Sequence, residues 1–366
     1  MNDARSFEAS DSTTPVRVAS ATGSRLPPHL AARLRLPVIA APMLRVSGPD
    51  LVIAACRAGI IGAFPTANAE SVDELDAWLS TIELALMQGT DHQASAPYAA
   101  NLIIRQRHLA DHLECLLTHR VEIVITSVGS PKTVIEPLRE AGALVLADVA
   151  TYDHARKAIS AGADGLVLLT AGAGGQTGWL NPLAFAAAVR TTFDGPIVLA
   201  GGISDGRSLL AAQLLGCDLA YMGTKFIATH ESMASADYRD MVVASTLDDV
   251  LLTNAFTGLP TNMLRPAIVA AGIDVDRLDE QVTPADADLM YSGRSRGPGP
   301  KRWRDVYSAG HSVSGVDTVA SVAEVVHRTA AEYARAHAAG LTDVFVPRSP
   351  ASPPSPRTQS TIGQEK

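Results

Sequence analysis

Aromatic residues are scarce in this sequence, at 5%, and only three of its 366 residues are cysteine. Cys56, Cys115 and Cys217 are widely spaced, odd in number and without a C-x-x-C pair, which excludes a disulfide-stapled scaffold and the common zinc motifs. They read as reduced thiols packed as small core residues. No apolar run approaches the roughly 18 residues of a membrane span. The N-terminal M-N-D-A-R-S-F-E-A-S also lacks the basic and apolar regions of a secretory signal. A cytoplasmic protein with no membrane partner is expected. Basic charge is short as well: 30 Lys and Arg against 38 Asp and Glu give a net charge of −8. With no basic block and no interleaving of aromatic and basic residues, nucleic acid is excluded as a partner.

What the chain does have is a large apolar fraction, 47%, enough for one barrel-sized domain or two smaller ones. The two ends depart from this. Residues 1–24 are Ser/Thr-rich and residues 347–366 are Pro/Ser-rich, so neither buries enough apolar area to offset its ordering entropy. Both are expected to be disordered tails.

Between the tails one unit repeats: a short apolar strand, a glycine or polar turn, a helix. Strands are expected at 37–41, 59–64, 98–103, 122–127, 143–147, 165–170, 196–200 and 219–222. Helices are expected between them at 49–57, 70–87, 107–117, 131–140, 152–161, 182–193 and 205–215. Eight strands separated by helices predict an α/β protein of the (β/α)8 TIM-barrel type over 25–228. An open doubly wound sheet usually has fewer strands and carries its glycine fingerprint after the first. Here the glycines follow strands six, seven and eight. From 229 to 301 the period breaks, which predicts a mostly helical insertion or lid; 302–340, with a helix at 319–337, completes the barrel.

The organising stretch is D-G-L-V-L-L-T-A-G-A-G-G-Q-T-G at 164–178, an apolar strand that opens into a glycine turn with Gln176 at its lip. A-G-G-I-S-D-G at 200–206 and M-G-T-K-F at 222–226 follow on the next two strands. In barrels the site lies at the strand C-termini, and phosphate is commonly held by the last two of these loops. Glycine lets backbone N–H groups approach an anion, and a helix starting after Ser204 and Asp205 would add its dipole. Three such turns on one rim point to a phosphate-bearing cofactor. Its organic half would reach Pro42, Met43 and Asn101 at the ends of strands one and three; core packing for Met43 and turn stabilisation for Asn101 are equally good readings.

P-V-I-A-A-P-M, A-A-N-L, G-A-G-G-Q-T-G, L-A-G-G-I-S-D-G, Y-M-G-T-K-F and W-R-D-V-Y-S-A-G-H-S-V together resemble the nitronate monooxygenase family, formerly called 2-nitropropane dioxygenases. The resemblance covers about residues 35–330. It implies an FMN-dependent TIM-barrel oxidoreductase that oxidises alkyl nitronates with O2. It also implies FMN contacts at Pro42, Met43, Asn101, Asp148, Gly174, Gly175, Gly201, Gly202, Met222, Gly223 and Thr224. The partners are then a small-molecule substrate, a nitronate or similar small acid, and O2; a homodimer is compatible with this.

Two positions depart from the family pattern. Where G-G-H-x-G supplies a histidine base, this chain has Gln176, whose amide hydrogen-bonds but takes no proton near neutral pH. Where the late motif often reads S-A-G-Q, this chain has His311. A preformed nitronate needs no base, so its oxidation survives the first change. His311 as a replacement base from the opposite wall competes with a merely solvated histidine. His92, His108, His112, His119 and His154 lack ligand spacing of the H-E-x-x-H kind, so no metal is expected. In K-R-W-R-D, Lys301 and Trp303 read as a solvated basic loop with one buried indole. The competing functions are an NAD(P)H-dependent flavin reductase acting on quinones or enoyl thioesters, and a flavin-binding protein without activity.

Overall fold

The protein is described by a computed structural model covering residues 24–88, 95–291 and 299–339. Residues 1–23 and 347–366 of the expected tails, and His92, lie outside the described residues.

Eight parallel strands close into a barrel: β1 (Val38–Ala40), β2 (Ile61–Pro65), β3 (Tyr98–Ile103), β4 (Ile123–Ser127), β5 (Leu144–Val149), β6 (Gly165–Leu169), β7 (Ile197–Ala200) and β8 (Leu219–Met222). Ile39 stands opposite both Ile61 of β2 and Tyr221 of β8, which closes the ring. The strands are almost continuously apolar because both of their faces are buried. Ile39, Ile61, Ile125, Leu146, Val167, Val198 and Leu219 fill the interior. Leu30 of the short helix Pro28–Ala31 and Leu26 just before it join this inner cluster. The alternate residues, among them Phe64, Val124, Val145, Leu168 and Leu199, face the helices. Each such Leu or Ile contributes about 1.5–3 kcal/mol by leaving water.

The outer ring is α1 (Pro49–Arg57), α2 (Val72–Met87), α3 (Leu109–Thr118), α4 (Lys132–Glu140), α5 (Tyr152–Ala161), α6 (Pro182–Arg190), α7 (Gly206–Leu214) and α8 (Val322–Ala338). Local chemistry sets where they start. Ser71, Thr151, Asn181, Asp205 and Ser321 each accept a backbone N–H of the first turn they cap.

The stretch after β8 is mostly helical, as expected, but it also contains two strands that the sequence did not announce. It carries the helices Ala236–Ala244, Arg265–Ala270 and Pro284–Tyr291, and also the strands Val250–Thr253 and Thr261–Leu264. These two strands form an antiparallel sheet with Gly175–Gln176 of the turn after β6. The alternation in V-L-L-T and T-N-M-L is too short to register as strands from sequence, and the partner strand that completes the sheet lies 85 residues upstream of Thr261, at Gln176.

Candidate functional site

Strand alternation decides what faces the barrel mouth. Asn101 on β3, Asp148 on β5 and Tyr221 on β8 share the inward parity of Ala99, Leu146 and Leu219. Asn101 is buried, and its Nδ2 donates to the Ile125 carbonyl at 3.0 Å and to Ser127 Oγ at 3.1 Å. Its amide thus clamps β3 to β4, leaving Oδ1 with a weak 3.5 Å contact from Ser127. Asp148 Oδ1 and the Tyr221 hydroxyl are both sealed from solvent and have no hydrogen-bond partner among the described residues. Burial alone pushes the Asp148 carboxyl up to about 7, and burial with the nearby Asp148 raises the Tyr221 phenol. Buried polar atoms are ordinarily satisfied, so this pair is a polar floor fitted to meet a ligand atom or a trapped water.

The rim beside that floor offers an anion cradle. Gly201 and Gly202 hold φ of 120° and 76°, and Gly202 has open space where a Cβ would stand. Next to them the short helix Thr224–Ile227 begins after Gly223, presenting its first N–H groups, as barrel phosphate sites do. The Thr224 hydroxyl accepts from Gly310 N–H at 2.9 Å, leaving its own proton to donate. The dipole of α7 is not part of the cradle, contrary to the sequence expectation. Its N-terminus is closed by Asp205, whose Oδ1 accepts from Ser208 N–H, and by Glu332, which accepts from Gly206 N–H. Two carboxylates there repel a phosphate.

Met43 and Pro42 follow β1 directly, and the Met43 sulfur lies 3.3 Å from where a Cβ on Gly223 would be, so the ends of β1 and β8 meet at the mouth. The Met222 side chain does not join them. It packs in the outer layer between barrel and helices, and its carbonyl accepts from Ala41 N–H at 2.9 Å. Any contact from Met222 is therefore limited to its backbone, because strand alternation turns its side chain away.

The glycine turn has a structural partner. Gly174 and Gly310 pack backbone to backbone: a Cβ on Gly174 would stand 2.8 Å from Gly310 N, and one on Gly310 2.5 Å from Gly172 O. Gly175, at φ 69°, lies in the small sheet beside Gln176. Pairing with Thr261 fixes the Gln176 backbone, and Asn262 Nδ2 donates to the Ala173 carbonyl at 2.7 Å. The Gln176 side chain is partly buried and has no hydrogen-bond partner among the described residues. His311 N–H donates to Gly172 O at 2.8 Å, and its exposed ring lies against Gly172. The two residues that depart from the family pattern thus meet at one turn, Gln176 on it and His311 packed against it.

Three features escaped the sequence reading. Tyr221 sits in an apolar strand, where its hydroxyl gave no signal. Lys225, buried beside Thr224, has its ammonium pKa lowered by desolvation, with Asp205, Glu332 and Asp317 opposing. Lys301 is buried rather than solvated. Trp303 packs against the cluster around Phe256 and Met263.

A TIM barrel with an anion cradle after its last strands, a polar floor and glycine-lined turns defines a flavin-type oxidoreductase. The sequence model described as nitronate monooxygenase matches residues 29–332, and the chain belongs to that family. Among its relatives is the (3aS,4S,5R,7aS)-5-hydroxy-7a-methyl-1-oxo-octahydro-1H-indene-4-carboxyl-CoA dehydrogenase of Mycobacterium tuberculosis, 27% identical over 75% of this chain and 74% of that protein. A probable nitronate monooxygenase of Staphylococcus aureus is 28% identical over 61% of each. Of solved structures, the nitroalkane oxidase of Streptomyces ansochromogenes has a TM-score of 0.71 at 25% identity, covering 85% of this chain and 99% of its own. FabK from Thermotoga maritima shares the fold at a TM-score of 0.73 and 24% identity, over 88% and 99%. Among the described residues no helix is long and apolar enough to cross a membrane.

Proposed function

We propose that the protein is an FMN-dependent enzyme that oxidises preformed alkyl nitronates with O2 to a carbonyl compound and nitrite. The carrying observation is Gln176, a neutral amide without a hydrogen-bond partner among the described residues, on the turn where the family pattern places a base. An amide N–H binds the nitronate oxygens but cannot create the anion from a nitroalkane. FMN, when bound, would accept electrons from substrate and react with O2. Gly201, Gly202, Gly223 and Thr224 would hold its phosphate, Met43 and Pro42 would flank its ring system, and Asp148 with Tyr221 would meet its polar atoms from below. Gly174 and Gly175 would let the turn approach it closely. His311, whose ring lies against Gly172 of the same turn, is the candidate for restoring a base.

Nitrite release is the test, from propyl-2-nitronate and 2-nitropropane in parallel. Turnover of the nitronate at least about a hundredfold above that of the nitroalkane supports the reading, following the usual worth of a general base. Unchanged nitroalkane turnover in His311→Ala would remove His311 from the chemistry.

A second reading, an NAD(P)H-dependent flavin reductase acting on an enoyl thioester, is favoured by the relative acting on a CoA thioester. Anaerobic bleaching of the flavin by NADH, with no bleaching by the nitronate, would select it.

A further inference from the structure

Away from the barrel mouth, α2 and α3 bring a second chemical cluster together on the outer ring. One ligand atom each of Asp76, Cys115 and His119 lies within 4.8 Å of the others. We propose that these three residues form a binding site for a zinc-type divalent cation, with Glu83 orienting the histidine.

Cys115 and His119 stand four residues apart at the end of α3, so their side chains rise on the same face, and Asp76 reaches them from α2. Nitrogen, thiolate and carboxylate together suit a borderline-soft ion far better than Mg²⁺ or Ca²⁺, which take oxygen alone. The surroundings have the features of a metal-bound histidine. His119 Nε2 lies 2.9 Å from Asp76 Oδ1, and its Nδ1 lies 3.1 Å from Glu83 Oε1. Glu83 is itself held by the Tyr98 hydroxyl at 3.1 Å. A metal-ligating histidine almost always gives its other ring N–H to a carboxylate in this way. The site also has an entrance: the Asp76 side chain is 61% exposed and that of His119 is 10% exposed, so an ion and a water as fourth ligand can enter from the Asp76 side.

The competing account is an imidazolium bridging two carboxylates. It explains His119, Asp76 and Glu83 but gives no role to the buried Cys115 sulfur, which has no hydrogen bond among the described residues. That sulfur stands within 4.8 Å of the Asp76 and His119 ligand atoms, where a cation would bind all three. Binding then breaks the Cys115 S–H bond and takes the proton from His119 Nε2, forms metal–sulfur and metal–nitrogen bonds, and releases both protons to solvent. No oxidant or reductant is involved.

The experiment uses the full chain with its flavin retained, stripped of metal by a chelator and titrated with Zn²⁺ or Co²⁺. One ion per chain is expected, and Co²⁺ should give a thiolate-to-cobalt charge-transfer band in the near-ultraviolet difference spectrum. Cys115→Ala should abolish the band, and Glu83→Gln should weaken Zn²⁺ binding about tenfold or more. No saturable binding, or binding undiminished in Cys115→Ala, would overturn the site and leave the imidazolium bridge. Should Cys115→Ala fail to fold, the exposed Asp76→Asn decides: it must weaken Zn²⁺ binding, and unchanged affinity sinks the proposal.

Discussion

At the scale of single residues, the proposed chemistry turns on which groups accept a proton at the mouth. Gln176 cannot, whereas a histidine at that place would sit on the same sheet-fixed backbone, paired with Thr261. Gln176→His should therefore raise 2-nitropropane turnover by about a hundredfold or more while nitronate turnover changes little, which nitrite assays at pH 7–8 would read. Asp148 behaves oppositely: it keeps its proton longer in the folded chain than in the unfolded one. Its folded value of about 7 against the ordinary 3.8 means the folded state binds the extra proton between these limits. Stability from this group accordingly falls as pH rises through about 4 to 7, and the cost is complete above 7. At most roughly 4 kcal/mol is involved, because one unit is worth 1.36 kcal/mol and the residue keeps some exposure. Asp148→Asn should unfold at higher urea than wild type at pH 8 and show no such advantage at pH 4. Equal pH dependence in the two proteins would remove the desolvation argument.

At the scale of elements, the barrel strands were legible because their burial on both faces writes short apolar runs, and the eight ring helices were legible from their spacing and caps. Even so, strand five is longer than its apolar run. Residues 143–147 read as strand, but the register extends through Asp148 to Val149, since an inward acid at the mouth does not break pairing with Val167 and Leu168. The glycine turn was legible as a turn, not as an interface. Gly172, Gly174 and Gly310 are required chiefly because the S-A-G-H segment presses against the turn, a contact between chain stretches about 136 residues apart that no local pattern announces. Gly310→Ala puts a Cβ 2.5 Å from Gly172 O and 2.7 Å from Gly174 N, so one segment must move. A loss of about 1–3 kcal/mol is expected from such overpacking. Because Gly310 N–H also positions Thr224, flavin retention on gel filtration should fall with it. A variant that keeps its flavin would show that the cradle does not depend on this contact.

At the scale of the whole molecule, the barrel separates chemistry from stability along its axis. The C-terminal rim holds polar groups without a hydrogen-bond partner among the described residues, Asp148 Oδ1, the Tyr221 hydroxyl and the Gln176 side chain, while the N-terminal end is closed by a hydrogen-bonded network. Asp218, just before β8, is its centre: Oδ2 accepts from Arg190 at 2.8 Å and from Ile197 N–H at 2.9 Å, and Oδ1 from Arg25 N–H at 2.8 Å. Arg190 further donates to the carbonyls of Gly216, Phe193 and Gly195, so α6, β7, β8 and the entering chain are tied through one ion pair. With the Asp218 side chain 3% exposed and that of Arg190 15%, removing the carboxylate leaves a largely buried guanidinium without its counter-charge. Asp218→Ala should cost about 3–5 kcal/mol in denaturant unfolding, the usual price of breaking a buried pair. The surviving folded protein should bind flavin with unchanged stoichiometry and turn over substrate at the wild-type rate per flavin, because the site lies at the other end of the strands. A loss of turnover per bound flavin would mean that the two ends of the barrel are coupled, and that the bottom network positions the mouth as well as supporting it.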